Sequence, residues 1–402
     1  MHKFFFSRSI RWCVLLGILI GCQQCIDAYD PSLSLNANLV VVSSIITDLN
    51  ETQTVSLSRS RSSADSANVS TPIQRASVSI VVNGTTPISL LETQPGVYSC
   101  PADFRGKTGN TYQLRFQTQE GVSYESSVET MASVPAILKT YDQFNPQGPK
   151  KTANGTNVPA NDIYVDFQDP VGERNFYLWR WRLYEQQVWC ATCQQGRYVV
   201  VDVGPVGSGP LDVLGCVRDT TLSSTLLLDY PCRGLCWDIF YNTDVTIFSD
   251  VYTNGQTQIG HKIASIPIYQ RDPALIVVEQ LALSANAYRY YKLFADQVQN
   301  TGTLADSPPA PISGNVKNTA NSSENVVGYF SAASVAASSH KINRQDVTTG
   351  IFQGLFYAIN GRTPRLESSL PGNPSPFGTS SASSVCVPGR TRTDQLPPGW
   401  NQ

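Results

Sequence analysis

Cysteine carries more chemistry in its spacing than any other residue type in this 402-residue chain. The first signal is Leu19-Ile20-Gly21-Cys22, which follows the basic residues Lys3, Arg8 and Arg11 and the apolar run 12–21. That run is half the length a permanent membrane-spanning helix needs, so it reads as the core of a cleaved leader. A small residue directly before a cysteine is the pattern a lipoprotein signal peptidase acts on, because the thiol is acylated before the chain is cut. Cys22 is therefore the expected lipidation site and the first residue of the mature chain. Cys25 is the rival, but Gln24 before it is large and polar. An ordinary secretory leader is the alternative, and either reading sends the remainder outside the cytoplasm. Several acyl chains on Cys22 would anchor it stably to a membrane.

The second signal is a dense cluster: Cys190 and Cys193, then Cys216, then Cys232 and Cys236. Three chemistries compete for it. Disulfides between these five residues would staple the loops of a domain folded in an oxidising compartment, and this is the expectation. The paired spacing also suits a four-thiolate zinc site. A redox-active Cys-x-x-Cys is the third reading, although no βαβ pattern surrounds Cys190. No metal or other cofactor is expected.

Other chemistry is thin. The sequence holds no Gly-x-Ser-x-Gly elbow, His-Glu-x-x-His pair, phosphate-binding glycine loop or dinucleotide fingerprint. Beyond the leader only His261 and His340 remain, and both are expected at surface or strand-end positions. Asp166 and Asp169 could be imagined as a pair of glycosidase acids, but acidic neighbours arise by chance among 31 such residues. Catalysis is not expected. Asn50-Glu51-Thr52, Asn68-Val69-Ser70 and Asn83-Gly84-Thr85 match the N-glycosylation pattern, which the lipoprotein leader argues against. Ser66, in Asp65-Ser66-Ala67, fits a bacterial O-glycosylation acceptor.

The elements that must position these residues are strands. Hydrophobic residues make up 41% of the chain and charged ones 15%, which describes a globular and lightly charged protein. Without the leader, 26 basic residues face 31 acidic ones, so there is no electrostatic footprint for nucleic acid. The length allows two or more domains. We divide it into a leader (1–21), a tether (22–35), a first domain (36–135) and a larger second domain (136–402).

In the first domain, runs at 39–46, 54–58, 77–82, 96–98, 111–116 and 122–128 read as short strands, with Asn83-Gly84 as a hairpin turn. About seven strands in about one hundred residues is the signature of an immunoglobulin-like β-sandwich. The second domain is also β-rich, with strands at 162–167, 176–184, 199–203, 243–248, 261–268, 275–283 and 326–331. Tyr177, Trp179, Trp181 and Leu183 alternate onto one face, which is expected to be buried in preference to forming a carbohydrate platform. One helix near 285–301 stands out. Ser284 is its expected N-cap and Gly302 its stop, with Tyr288, Tyr291, Ala295 and Val298 at helical spacing. The fold class is thus all-β, mainly strand with that one helix.

Several separated segments resemble a single family, domain of unknown function 4249, of Bacteroidota outer-membrane lipoproteins. They are Cys25-Ile26-Asp27-Ala28-Tyr29-Asp30-Pro31, Leu39-Val40-Val41 leading into Ile45-Ile46-Thr47-Asp48, and Leu57-Ser58-Arg59-Ser60. Further on come Val278-Glu279-Gln280-Leu281, Pro311-Ile312-Ser313-Gly314-Asn315 and Val327-Gly328-Tyr329-Phe330-Ser331. Cys236-Trp237 and Cys386, followed by Pro398-Gly399-Trp400, are similar as well. The chain departs from the family in having Gly389 where a second C-terminal cysteine commonly stands, so Cys386 needs another partner, Cys100 or a member of the cluster.

The resemblance implies an outer-membrane, lipid-anchored protein at the cell surface. Its implied role is a non-enzymatic accessory to a TonB-dependent transporter, capturing a ligand or covering the transporter mouth. A structural or adhesive envelope protein is the alternative. The stretch 328–330 and the loop 308–315 are two places where an interface or plain strand packing would explain the residues equally well.

Overall fold

The computed structural model describes residues 38–60, 70–150, 155–201, 212–298, 312–348, 353–367 and 383–401. The leader, the tether, Cys22, Cys25, Ser66 and Gly302 lie outside the described residues. The fold is mainly β, as its alternating and Val/Ile-rich segments require. Among the described residues, no helix is long and apolar enough to cross a membrane.

Nine strands come from the first hundred described residues: β1 (Val40–Thr47), β2 (Thr54–Arg59), β3 (Thr71–Pro72), β4 (Ser77–Val82), β5 (Thr86–Gln94), β6 (Val97–Ser99), β7 (Thr111–Gln117), β8 (Ser123–Ser126) and β9 (Glu129–Thr130). A sandwich would divide them between two facing sheets. Here they fall into two such halves, β1-β2-β3-β6 and β4-β7-β8-β9, linked through β5 into a nearly closed, barrel-like arrangement. The turn is made by β5, whose first half pairs with β4 and whose second half pairs with β6.

The ring also draws on strands far along the chain, β21 (Val316–Asn318) beside β8 and β22 (Val326–Ala333) running parallel to β1. The order is β21-β8-β7-β4-β5-β6-β2-β1-β22, with β3 on β2 and β9 on β7. Its two ends meet where Gly314 N–H donates to Val326 O at 3.0 Å, and where the Asn315 side chain brackets Phe330. Asn315 Oδ1 accepts from Phe330 N–H (2.9 Å), and its Nδ2 donates to Phe330 O (2.8 Å). Glycine is demanded at this seam. A Cβ on Gly328 would lie 1.8 Å from Val42 O, and φ there is +91°. Inside the ring, Val40, Val42, Ile46, Leu57, Ile80, Leu114 and Phe330 form the core.

The second unit is a sandwich of two sheets. One has three strands in the order β10-β11-β19, formed by β10 (Ile137–Asn145), β11 (Ala160–Gln168) and β19 (Thr257–Pro267). The other is built on β12 (Phe176–Gln186), β17 (Trp237–Tyr241), β18 (Thr246–Ser249), β20 (Ala274–Ala282), β23 (Val335–Ile342) and β24 (Arg392–Thr393). Val165 and Phe167 on β11 and Ile263 and Ile266 on β19 pack against Tyr177, Trp179 and Leu183 on β12 and Ile276 and Val278 on β20. The aromatic row of β12 is therefore core and not a sugar platform. Trp179 Nε1 donates to Gln280 Oε1 at 3.2 Å, which satisfies the indole inside that core.

Only Ser334 separates β22 of the first unit from β23 of the second, so the chain crosses between them in one residue. Helix α1 (Ala285–Val298) sits at the same junction. Ser284 caps it as expected, accepting from Ala287 N–H at 3.1 Å. Tyr288 stacks on Phe176 with ring centroids 4.7 Å apart, and Tyr290 and Tyr291 lie against Tyr329. Tyr329 is thereby buried, as Phe330 is inside the ring, so packing accounts for the Gly328-Tyr329-Phe330 run.

Candidate functional site: a cleft pinned by disulfides

Between β12 and β17 the chain makes an excursion of two small hairpin sheets. The first joins β13 (Trp189–Gln194) to β16 (Leu227–Pro231). The second joins β14 (Gly196–Val201) to β15 (Asp212–Arg218). The excursion is held by the cysteines that the sequence singled out. Cys190 bonds Cys232 across its base, and Cys193 bonds Cys216 between the hairpins. Cys236 reaches 150 residues along the chain to Cys386. No Cys-x-x-Cys closes on itself, because β13 is extended and residues three apart on a strand stand too far from each other. Cys386 finds its partner in the cluster.

The sulfurs of Cys190, Cys232 and Cys236 lie within 4.8 Å of one another. All three are in disulfides, so they present no thiolates to zinc in this arrangement. Cys100 is the one described cysteine without a partner. It is buried in the first unit, which pushes its thiol up to about 12.

The disulfides bring three distant segments to one place, and a cleft of about 360 Å³ opens there. Trp189 comes from β13 beside Cys190. Asp238 comes from β17, two residues after Cys236. Arg392 comes from β24, six residues after Cys386. Phe356 and Asn360 come from a short helix, α2 (Leu355–Asn360). Trp189 and Phe356 form an aromatic wall with centroids 5.7 Å apart, and the Arg362 guanidinium covers Phe356 at 5.1 Å.

The polar part of the lining is internally satisfied. Asp238 accepts from Arg392 Nε (2.7 Å) and Gln187 Nε2 (2.6 Å), while Arg392 Nη1 also donates to Cys190 O (3.1 Å). The ionisable groups there are thus committed to each other. The arrangement can grip a small molecule between aromatic rings and amide or guanidinium edges.

The other residues weighed from the sequence lie elsewhere. Asp166 stands on the outer face of β11, its Oδ1 accepting from Gly260 N–H at 2.7 Å, whereas Asp169 is buried past the strand end. They do not converge. His261 is not a surface or strand-end residue. It lies within β19 and turns toward Phe167, Trp179 and Phe248, its centroid 4.7 Å from that of Trp179. His340 on β23 meets Asp142 Oδ1 at 2.6 Å, joining the two sheets. Trp189, Phe356, Asn360 and Arg392 were not singled out from the sequence. Only the cysteine spacing pointed toward them, since the bridges set where these segments meet.

No curated protein matches this chain. The family whose sequence model matches is described as a domain of unknown function (DUF4249), over residues 26–339.

Proposed function

The chain belongs to the DUF4249 family, and on that footing we propose that it is a non-enzymatic outer-membrane lipoprotein. Acylated at Cys22 and displayed at the cell surface, it serves a TonB-dependent transporter by capturing a ligand or covering the transporter mouth. The observation that carries this reading is the cleft, where the Cys190–Cys232 and Cys236–Cys386 disulfides hold Trp189 beside the paired Asp238 and Arg392, with Phe356 packed on Trp189. Such a site is built for holding a molecule. Tethering near a barrel would raise the effective concentration enough for modest contacts to keep the two together.

The experiment is a gentle detergent extraction of the tagged protein from its own outer membrane, with co-purifying proteins identified by mass spectrometry. Recovery of one TonB-dependent barrel in stoichiometric amount is the expected outcome. Recovery of the lipoprotein alone, or with surface polymers only, overturns the proposal in favour of a structural or adhesive role.

A further inference from the structure

The Cys190–Cys232 and Cys236–Cys386 bridges are neighbours, with the sulfurs of Cys190, Cys232 and Cys236 all within 4.8 Å of one another. Stapling alone does not ask for this closeness. The Cys193–Cys216 bridge staples just as well with Cys193 packed elsewhere, among Tyr198, Leu228 and Tyr230. The two bridges converge because Cys232 and Cys236 bound the short loop between β16 and β17. The chain before Cys386 runs alongside that loop, where Ser384 N–H donates to Pro231 O and Arg233 N–H to Ser384 O.

Access to the four sulfurs is unequal. Cys190, Cys236 and Cys386 are 7%, 1% and 9% exposed, whereas Cys232 is half-buried. Leu235 and Val387 beside them stand 52% and 64% exposed, so the pair of bridges lies directly beneath the surface. Exchange at a disulfide depends on access and on which sulfur is attacked, so a thiolate from outside meets Cys232 first. The leaving thiolate is then Cys190, already beside the sulfur of Cys236.

We propose that these two bridges form a thiol–disulfide exchange site, which takes a dithiol and frees the C-terminal segment from its covalent hold. The first sulfur of the dithiol attacks Cys232 Sγ; a mixed disulfide forms, the Cys190–Cys232 bond breaks and Cys190 leaves as a thiolate. Cys190 attacks Cys236 Sγ; a Cys190–Cys236 bond forms, the Cys236–Cys386 bond breaks, and Cys386 leaves and takes a proton. The second sulfur of the dithiol displaces Cys232, so the dithiol departs as a disulfide and Cys232 becomes a thiol. Two electrons have passed to the protein, which keeps a Cys190–Cys236 bridge inside and carries thiols at Cys232 and Cys386. Residues 387–400 are then held only by β24 and by contacts such as that of Trp400 with Trp237. Arg392 of the cleft is on that segment, so the exchange loosens its grip on Asp238. This exchange needs only the cysteine geometry and holds whether or not a transporter is the partner.

The test exposes the folded full-length protein to rising amounts of dithiothreitol, blocks free thiols with N-ethylmaleimide and maps the bridges by mass spectrometry of an acid digest. Cys216 is exposed, so the Cys193–Cys216 bridge serves as the internal control for reduction. Label should appear on Cys386 in step with Cys232, in equal amount, together with a peptide joining Cys190 to Cys236. Label on Cys190 and Cys232 with Cys236–Cys386 intact overturns the proposal, because the two bridges then reduce independently. Label on Cys236 in step with Cys386 overturns it for the same reason. A cluster still unlabelled when Cys193–Cys216 is fully reduced also overturns it.

Discussion

The Tyr329 hydroxyl donates to Glu129 Oε1 at 2.8 Å, joining β22 to β9 across 200 residues of sequence. Glu129 is only 2% exposed, yet it is fully served. Ser127 Oγ donates at 2.9 Å, the helix cap Ser284 at 2.6 Å and Asn315 Nδ2 at 3.3 Å. One carboxylate thus gathers the barrel seam, the cap of α1 and the crossing between the units. Burial and the adjoining carboxylate both push the Tyr329 hydroxyl up, so it stays a donor throughout the ordinary pH range.

Two variants should grade this junction. Tyr329→Phe removes one donor and is expected to cost about 1–1.5 kcal/mol, whereas Glu129→Ala strands several buried donors at once and should cost about 2–4 kcal/mol. Thermal unfolding followed by circular dichroism would rank them, and equal effects would show that Glu129 is not the hub.

Gly328 sets the parallel pairing of β1 with β22. Its positive φ and the 1.8 Å approach of a Cβ to Val42 O leave no room for alanine. Gly328→Ala should destabilise by more than about 3 kcal/mol and open the seam. Gly84→Ala is the matched control. Its φ is +72° but nothing lies within 4 Å, so backbone strain alone should cost about 1 kcal/mol. The contrast is read from soluble yield and melting temperature.

The Cys236–Cys386 bridge closes the longest loop of the three bridges among the described residues, and chain entropy assigns such a loop about 5 kcal/mol of stabilisation. Its loss acts first on the segment it holds. Cys386→Ser should free the C-terminal segment that carries Arg392 and Trp400. Trp400 now meets Trp237 with centroids 4.2 Å apart and lies under the Lys341 ammonium at 4.6 Å. Limited proteolysis should cut between residues 387 and 400 in the variant only, with a matching change in tryptophan fluorescence.

Acid should weaken the sandwich through His261. Burial among Phe167, Trp179 and Phe248 disfavours the imidazolium and lowers its pKa from the usual 6.5. The unfolded chain therefore binds a proton that the folded chain resists. The stabilising contribution is complete above the unfolded pKa and declines as pH falls from about 6.5 toward the lower folded value. His261→Phe should flatten the melting temperature between pH 7 and about pH 5 relative to wild type. An unchanged slope would place the acid sensitivity elsewhere.

Local chemistry was enough to identify the strands that alternate cleanly, such as 77–82, and the Asn83-Gly84 turn, where both residues take positive φ. It also located the Ser284 cap and the buried face of Tyr177 and Trp179, because capping and side-chain alternation act over a few residues. Composition and cysteine count pointed to an oxidising compartment and to disulfides. What could not be read locally was pairing at a distance. Nothing in Val40–Thr47 names Val326–Ala333 as its neighbour, and the choice follows from which glycines let two backbones approach. For the same reason the local pattern of a sandwich does not reveal that β5 links its two halves into a nearly closed arrangement. The cleft is a further product of that geometry. Trp189, Asp238, Phe356 and Arg392 are ordinary residues in sequence, and they become a site only where disulfides hold the segments of Trp189, Asp238 and Arg392 side by side and α2 packs Phe356 against them.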